Sequence, residues 1–246
     1  MKNKQIFILI FALLLILISA SPTYAKTSIE QARTAFYERN YKQAEELFLE
    51  LNNEENYQWE TNFFLGMIYL RTDELQKAVD YMEEAYKLTP EDYYTLVNYA
   101  RILYRSKNYQ AAREKLDEVS ADQRNNDEQY NNLLGLLELE DDNLKKAVDF
   151  FEQALEINPE NYYVQNNLGL TLISQGDFQK AKQHLKKAVA QKPTEAYIYN
   201  NLGICQENLN QLQQAKESYE QALELNPDHK KAEVNLNRVL SKINNQ

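Results

Sequence analysis

Cys205 is the only thiol in the 246-residue chain, and His184 and His229 are its only imidazoles. A metal centre needs several His, Cys, Asp or Glu ligands at matching spacings, and a nucleophile needs a base beside it. Neither histidine belongs to such a spacing, and His184 is expected on the polar side of a helix. The adjacent carboxylates Glu45-Glu46, Glu83-Glu84 and Asp141-Asp142 fall on polar helix faces or turns, where they read as solvated surface rather than acid–base pairs. No glycine-rich phosphate loop and no nucleophile elbow occurs. No catalytic residue, metal ligand or cofactor is therefore expected, and Cys205 reads as an inert core thiol. What remains is amide chemistry. Asn98, Asn167 and Asn201 each stand two residues before a small residue (Ala100, Gly169, Gly203), with Asn166 and Asn200 beside two of them. An amide both donates and accepts, so a spaced set can engage the backbone of an extended peptide, or can tie the fold together.

The elements that would carry these amides follow from six alanines. Ala44, Ala78, Ala112, Ala147, Ala181 and Ala215 recur at intervals of 34, 34, 35, 34 and 34 residues. Four residues after each stands a large apolar side chain (Phe48, Met82, Leu116, Phe151, Leu185, Tyr219), and three before it another (Tyr41, Leu75, Tyr109, Leu144, Phe178, Leu212). These offsets lie on one stripe of an α-helix, with a small residue where a neighbour approaches closely. Twelve residues upstream lies Gly66, Ala100, Gly135, Gly169 or Gly203, the close-contact point of a second helix. Four of the five prolines (Pro90, Pro159, Pro193, Pro227) fall twelve residues after an alanine, where a residue without an N–H ends one helix before the next. Asp73-Glu74, Asp142-Asn143 and Gly176-Asp177 fill the short turns between paired helices. No segment alternates with period two, so no sheet is expected. A period in this range marks a repeat array, whose units are stable only when stacked.

The pattern resembles the tetratricopeptide repeat, a helix-turn-helix family. Leu168-Gly169, Ala181, Leu185, Ala188 and Pro193 carry its signature, and Leu202-Gly203, Ala215, Tyr219, Ala222 and Pro227 carry it again. The resemblance covers roughly residues 25 to 229. It departs at the first repeat, which has Gln31-Ala32 in place of leucine-glycine and no proline, and at the third, with Ala100 for glycine and Arg124 for proline. The resemblance implies an all-α, right-handed solenoid of six repeats, at about 26–58, 59–92, 93–127, 128–161, 162–195 and 196–229. Residues 230–246 would then form a cap helix and tail.

In the resembled family the first helix of each repeat lines a concave groove. Carried over position by position, the front lining is Arg33, Phe36, Tyr37, Phe63, Met67, Arg71, Tyr94, Val97, Arg101, Tyr104 and Arg105. The rear lining is Tyr163, Asn166, Asn167, Leu170, Tyr197, Asn200, Asn201 and Ile204. Arginine holds a carboxylate through two parallel hydrogen bonds, and tyrosine supplies rigid contact area. The front half is thus expected to take a peptide with acidic residues or a free C-terminus, unless its arginines pair with glutamates of adjacent helices. In the rear half, amides that hold a peptide backbone stand against amides that serve only the fold.

The first 25 residues differ from the rest. Lys2 and Lys4 precede an apolar run from Ile6 to Ile18, followed by Ser-Ala-Ser-Pro-Thr-Tyr-Ala. These read as the three regions of a secretory signal peptide cleaved after Ala25. Thirteen apolar residues are short of the ~20 that span a bilayer. An extracytoplasmic location is expected, with anchoring by uncleaved residues 6–20 as the rival. Thr27-Ser28-Ile29-Glu30 is a capping-box pattern that would start the first helix at once. No lipid-attachment cysteine follows the apolar run. Without residues 1–25 the chain has 25 basic and 37 acidic residues, a net charge of about −12. That opposes a nucleic-acid partner, whose affinity rests on basic phosphate contacts, and an anionic membrane surface. No small-molecule substrate is expected, and membrane contact would come only through an uncleaved N-terminal segment.

Beyond Pro227, Ala232, Leu236, Val239, Leu240 and Ile243 continue an apolar stripe with polar residues on the other faces, a solvating cap that Asp228 is placed to start. Residues 120–127 form a polar joint holding the one 35-residue step, either a hinge or a tolerated insertion. Glycine and proline are too scarce for a long linker, so one continuous domain is expected. The expected function is that of an exported, non-enzymatic scaffold holding extended segments of a protein or peptide partner in its groove. The alternatives are an envelope-assembly factor of the pilotin-like kind, serving pili or secretion machines, and a self-assembling structural protein.

Overall fold

The computed structural model describes residues 28–52, 54–124 and 127–245, which form fourteen α-helices and one 3-10 turn, Glu55–Tyr57, with no strand among them. The signal-peptide reading lies outside the described residues. Contacts divide the chain after Leu88 into two compact units.

The first unit holds α1 (Ile29–Tyr37), α2 (Tyr41–Leu51), α3 (Gln58–Arg71) and α4 (Leu75–Leu88). Its first helix starts one residue later than the capping-box pattern implied. Ser28, not Thr27, is the N-cap, and its partner is Gln31, not Glu30: Ser28 Oγ accepts from Gln31 N at 3.2 Å, and Gln31 Oε1 accepts from Ser28 N at 3.1 Å. Two adjacent hydroxyls each had a suitable partner three residues on, and the helix axis selects the second.

The second unit holds α5 (Tyr93–Arg105), α6 (Tyr109–Asp117), α7 (Ala121–Arg124), α8 (Glu128–Glu140), α9 (Leu144–Ile157), α10 (Tyr162–Gln175), α11 (Phe178–Gln191), α12 (Ala196–Asn208), α13 (Leu212–Leu225) and α14 (Lys230–Asn244). Here the polar joint carries one helical turn, α7. Arg124 folds it back, donating from Nε to Val119 O at 2.7 Å and from Nη2 to Asp117 O at 2.6 Å. Arg113 ties α6 to α8 through Glu138 at 3.1 Å, Leu137 O at 2.9 Å and Asp141. The cap helix α14 is started by His229 rather than Asp228, because Ala232 N donates to His229 Nδ1 at 3.1 Å.

All six ladder alanines are fully buried, and so are the residues four positions on. Each fully buried side chain of the Phe or Leu class contributes roughly 1.5–3 kcal/mol of burial. The upstream glycines face those same side chains. A Cβ on Gly135 would meet the Phe151 ring at 2.6 Å, one on Gly169 would meet Leu185 Cγ at 2.6 Å, and one on Gly203 would meet the Tyr219 ring at 2.5 Å. Hydrogen in place of a methyl is what lets the paired helices close.

Every turn between paired helices uses one left-handed residue. Arg39, Asp73, Lys107, Asp142, Gly176 and Asn210 all have φ between 58° and 82° and occupy one position of successive repeats. The next residue's N–H reaches back five positions, as in Asn40 N to Ala35 O at 2.9 Å and Asn108 N to Leu103 O at 2.8 Å. That closes the helix end as a Schellman motif.

Candidate functional site

In the first unit, the arginine-aromatic lining is largely committed to internal contacts. Arg33 closes on Glu60 with two donors, Nη2 to Oε2 at 2.8 Å and Nε to Oε1, and reaches Glu30 at 2.5 Å. The Glu60 hydrogen bonds raise its guanidinium pKa further. Phe36, Tyr37, Phe48, Phe63 and Phe64 form a run of ring contacts, with Phe48 and Phe64 stacked at 5.0 Å and Trp59 stacked on Phe63 at 5.5 Å. Met67 is buried. Tyr37, 71% exposed, and the exposed Arg71 in the last turn of α3 remain open to a partner. Arg71 takes no ion pair or hydrogen bond among the described residues.

In the second unit, Arg101 donates to Asn98 Oδ1 at 3.0 Å and to Gln129 Oε1, and Tyr104 donates to Glu140 Oε1 at 3.2 Å. Burial first, and the Glu140 charge second, push the Tyr104 hydroxyl pKa up. Arg105 is exposed, Val97 is buried, and Tyr94 is 65% exposed at the start of α5.

The asparagines form a ladder between repeats. Asn167 Nδ2 donates to Asn132 Oδ1 at 3.2 Å, Asn201 Nδ2 to Asn166 Oδ1 at 2.9 Å, and Asn235 Nδ2 to Asn200 Oδ1 at 2.9 Å. Asn200 Nδ2 also donates to Asn201 Oδ1 at 3.3 Å, so four amides from Asn235 to Asn166 make one relay in which each polarises the next. Asn132 and Asn235 were not among the sequence candidates. Their 35-residue spacing from Asn167 and Asn200 was the available signal. Asn98 stands outside the ladder and donates to Tyr94 O of its own helix at 2.8 Å.

Each rung is flanked on its own helix face. Tyr163 and Leu170, 45% and 37% exposed, lie one turn before and after Asn166-Asn167 on α10. The half-buried Tyr197 and Ile204 flank Asn200-Asn201 in the same way on α12. Burial raises the Tyr197 hydroxyl pKa, with Tyr162, Glu195 and Tyr163 adding to it, so the hydroxyl stays a neutral donor. The resulting stripe alternates ring, amide and aliphatic side chain.

Elsewhere His184 is half-buried, with its Nδ1 2.7 Å from Gln165 Oε1, rather than on an open polar face. Burial, then Lys187 and Lys180, lower its pKa. Cys205 is buried, which pushes its thiol up to about 12. Among the described residues no group of three or more His, Cys, Asp or Glu is placed to hold a metal ion, and no helix is long and apolar enough to cross a membrane.

Three family models of the tetratricopeptide repeat match the chain, over residues 29–93, over 69–137 with 138–202, and over 196–229. No curated protein matches it. Among solved structures, pilF of Pseudomonas aeruginosa aligns with a TM-score of 0.72 at 18% identity, covering 87% of this chain and 95% of that one. MamA of Desulfovibrio magneticus RS-1 aligns at 0.56 and 21% identity, covering 67% and 93%. YrrB, described as a tetratricopeptide-repeat protein with an unusual peptide-binding site, aligns at 0.53 and 18%, covering 75% and 95%. At such identities the likeness is one of fold.

Proposed function

The chain belongs to the tetratricopeptide-repeat family, and on that premise we propose that it is a non-enzymatic interaction scaffold that holds an extended peptide segment of a partner protein along α10 and α12. The carrying observation is the repeated ring, amide and aliphatic stripe. The buried amides bond to one another and hold α10 and α12 in register, and Tyr163, Leu170, Tyr197 and Ile204 beside them offer contact to alternate side chains of a peptide. YrrB, which shares the fold, is itself described as binding peptide. In the first unit, Tyr37 and Arg71, which has no partner among the described residues, supply an aromatic surface and a cation for a carboxylate of a separate segment.

A photo-crosslinking residue at Tyr163 or Leu170, and a control at Glu152 on the outer side of α9, test this in the native cell. The same partner peptides should appear from both groove positions and not from the control. Identical adducts from all three positions defeat the reading.

The N-terminal segment supports a second reading, that the scaffold is exported and serves envelope assembly. Fractionation and N-terminal sequencing test it. A mature chain beginning at Lys26 outside the cytoplasm is expected, and a full-length cytoplasmic chain removes it.

A further inference from the structure

The outer faces of α11 and α13 carry opposite charge side by side. Helix α11 contains Lys180, Lys182, Lys186 and Lys187 and no carboxylate, in a chain whose net charge is −10. Helix α13 contains Glu217, Glu220 and Glu224 against Lys216 alone. Both pack on α12, and Lys182 Nζ reaches Gln211, the N-cap of α13, at 3.0 Å, so the two faces are neighbours. Little of this charge is neutralised internally. Lys180 pairs with Asp177 at 3.3 Å and Lys216 with Glu220 at 3.4 Å, while the exposed Lys186, Lys187, Glu217 and Glu224 take no ion pair among the described residues.

We propose that these two faces form a self-complementary surface that pairs with a second copy of this chain about a two-fold axis running alongside α11 and α13 and midway between them. Such an axis exchanges the two helices and leaves level along them unchanged. Helix α11 then lies over α13 of the second copy, and α13 over its α11, an isologous contact in which every pairing occurs twice.

The repeat supplies the register. Both helices are the second of their hairpins, and residues 34 apart occupy equivalent levels. Lys186 is therefore opposite Glu220 of the second copy, with Glu217 one turn to one side and Glu224 one turn to the other. Lys187 lies within the same reach, since one turn is about 5.4 Å. An axis between α9 and α11 would be poorer, because α9 sets Lys145 and Lys146 against its own Asp149, Glu152 and Glu156. A flat anionic membrane would meet carboxylates of α9 and α13 on both sides of α11, whereas a second copy sets Lys186 and Lys187 among Glu217, Glu220 and Glu224, against the one like-charge level of Lys182 and Lys216. This surface lies on the second helices, apart from the stripe proposed to hold peptide, and stands or falls separately from it.

Sedimentation equilibrium of the purified full chain tests the proposal with two variants, Lys186→Glu/Lys187→Glu and Glu217→Lys/Glu220→Lys. The wild type should approach twice the mass of one chain as concentration rises, and dissociate in salt of about 1 M, where charges are screened beyond about 3 Å. Each variant alone should remain at the mass of one chain. An equimolar mixture of the two should dimerise, because each then offers the other opposite charge at both contacts. All four positions are exposed, and an unchanged circular dichroism spectrum separates lost pairing from lost folding. A monomeric wild type, association that survives in either variant alone, or a mixture that stays monomeric overturns the proposal. Loss of binding to anionic lipid vesicles in the α11 variant, with a monomeric wild type, assigns the lysines to a membrane and overturns it equally.

Discussion

Both prongs of the Arg238 guanidinium close on the buried Glu207 carboxylate, Nε to Oε1 at 2.8 Å and Nη2 to Oε2 at 2.7 Å. Lys242 Nζ and the Tyr219 hydroxyl add donors at 2.8 and 3.0 Å, so one carboxylate fastens the cap helix α14 to α12 and α13.

The first prediction concerns acid. Burial alone would push the Glu207 carboxyl up, but the donors of Arg238, Lys242 and Tyr219 outweigh it and hold the group at about 2. A carboxyl lowered on folding contributes stability that is whole above its unfolded pKa and is lost as pH falls toward the folded value. The window here is about pH 4.5 down to about 2, and the contribution at neutral pH is on the order of 2 kcal/mol. Protection of α14 amides, taken as the exchange rate relative to the intrinsic rate at each pH, should fall across that window. In Glu207→Gln the protection should be low already at neutral pH and change little with acid.

Gly203→Ala and Gly66→Ala should differ in effect. The new methyl at Gly203 meets the fully buried Tyr219 ring at 2.5 Å, and overpacking of this kind costs about 1–3 kcal/mol. At Gly66 it meets Met82 Cε at 3.1 Å and the Ala78 carbonyl at 3.3 Å, a milder crowding that the helix preference of alanine offsets by up to about 1 kcal/mol. Chemical denaturation of the two variants should give a large loss for the first and little change for the second.

Left-handed turns give a stabilising substitution. Lys107 holds φ 61° with no side-chain role in the turn, and a non-glycine residue there costs roughly 1–2 kcal/mol. Lys107→Gly should raise the denaturation midpoint by an amount equivalent to about 0.5–1 kcal/mol, because the glycine's extra unfolded-state freedom offsets part of the gain. A lowered midpoint would contradict it.

The Asn201–Asn166 rung should register as a coupled pair. In a double-mutant cycle with Asn201→Ala and Asn166→Ala, the interaction energy should be about 1 kcal/mol, the net worth of a typical hydrogen bond. A cycle that closes to zero would mean that the rung contributes nothing to the fold.

The spacing of Ala44 to Ala215 places the hairpins because close approach demands a small residue at a fixed offset, a local constraint written directly in residue type. The glycine contacts were legible for the same reason. The N-caps were not: Thr27 and Ser28, or Asp228 and His229, are adjacent residues with capping groups, and where the helix axis begins is decided by packing. Arg39 and Lys107 carry no left-handed signature of their own, yet they align with Gly176 at the repeat period. For the groove, residue type marked Arg33 and Arg71 alike. Glu60 binds the first and leaves the second open, a difference that depends on which carboxylate faces each guanidinium.

The amide ladder has a bearing on how the array can grow. A rung needs only an asparagine three residues before one contact glycine and another two residues before the next, and residues 162–195 contain both. An in-frame duplication of that stretch would therefore bring its own rung, joined at both ends to partners already present. Toward the N-terminus the same accretion stops: the position matching Asn132 is Val97 in the third repeat and Phe63 in the second. The rear of this chain is thus a module that can be copied without redesign, and its front is not.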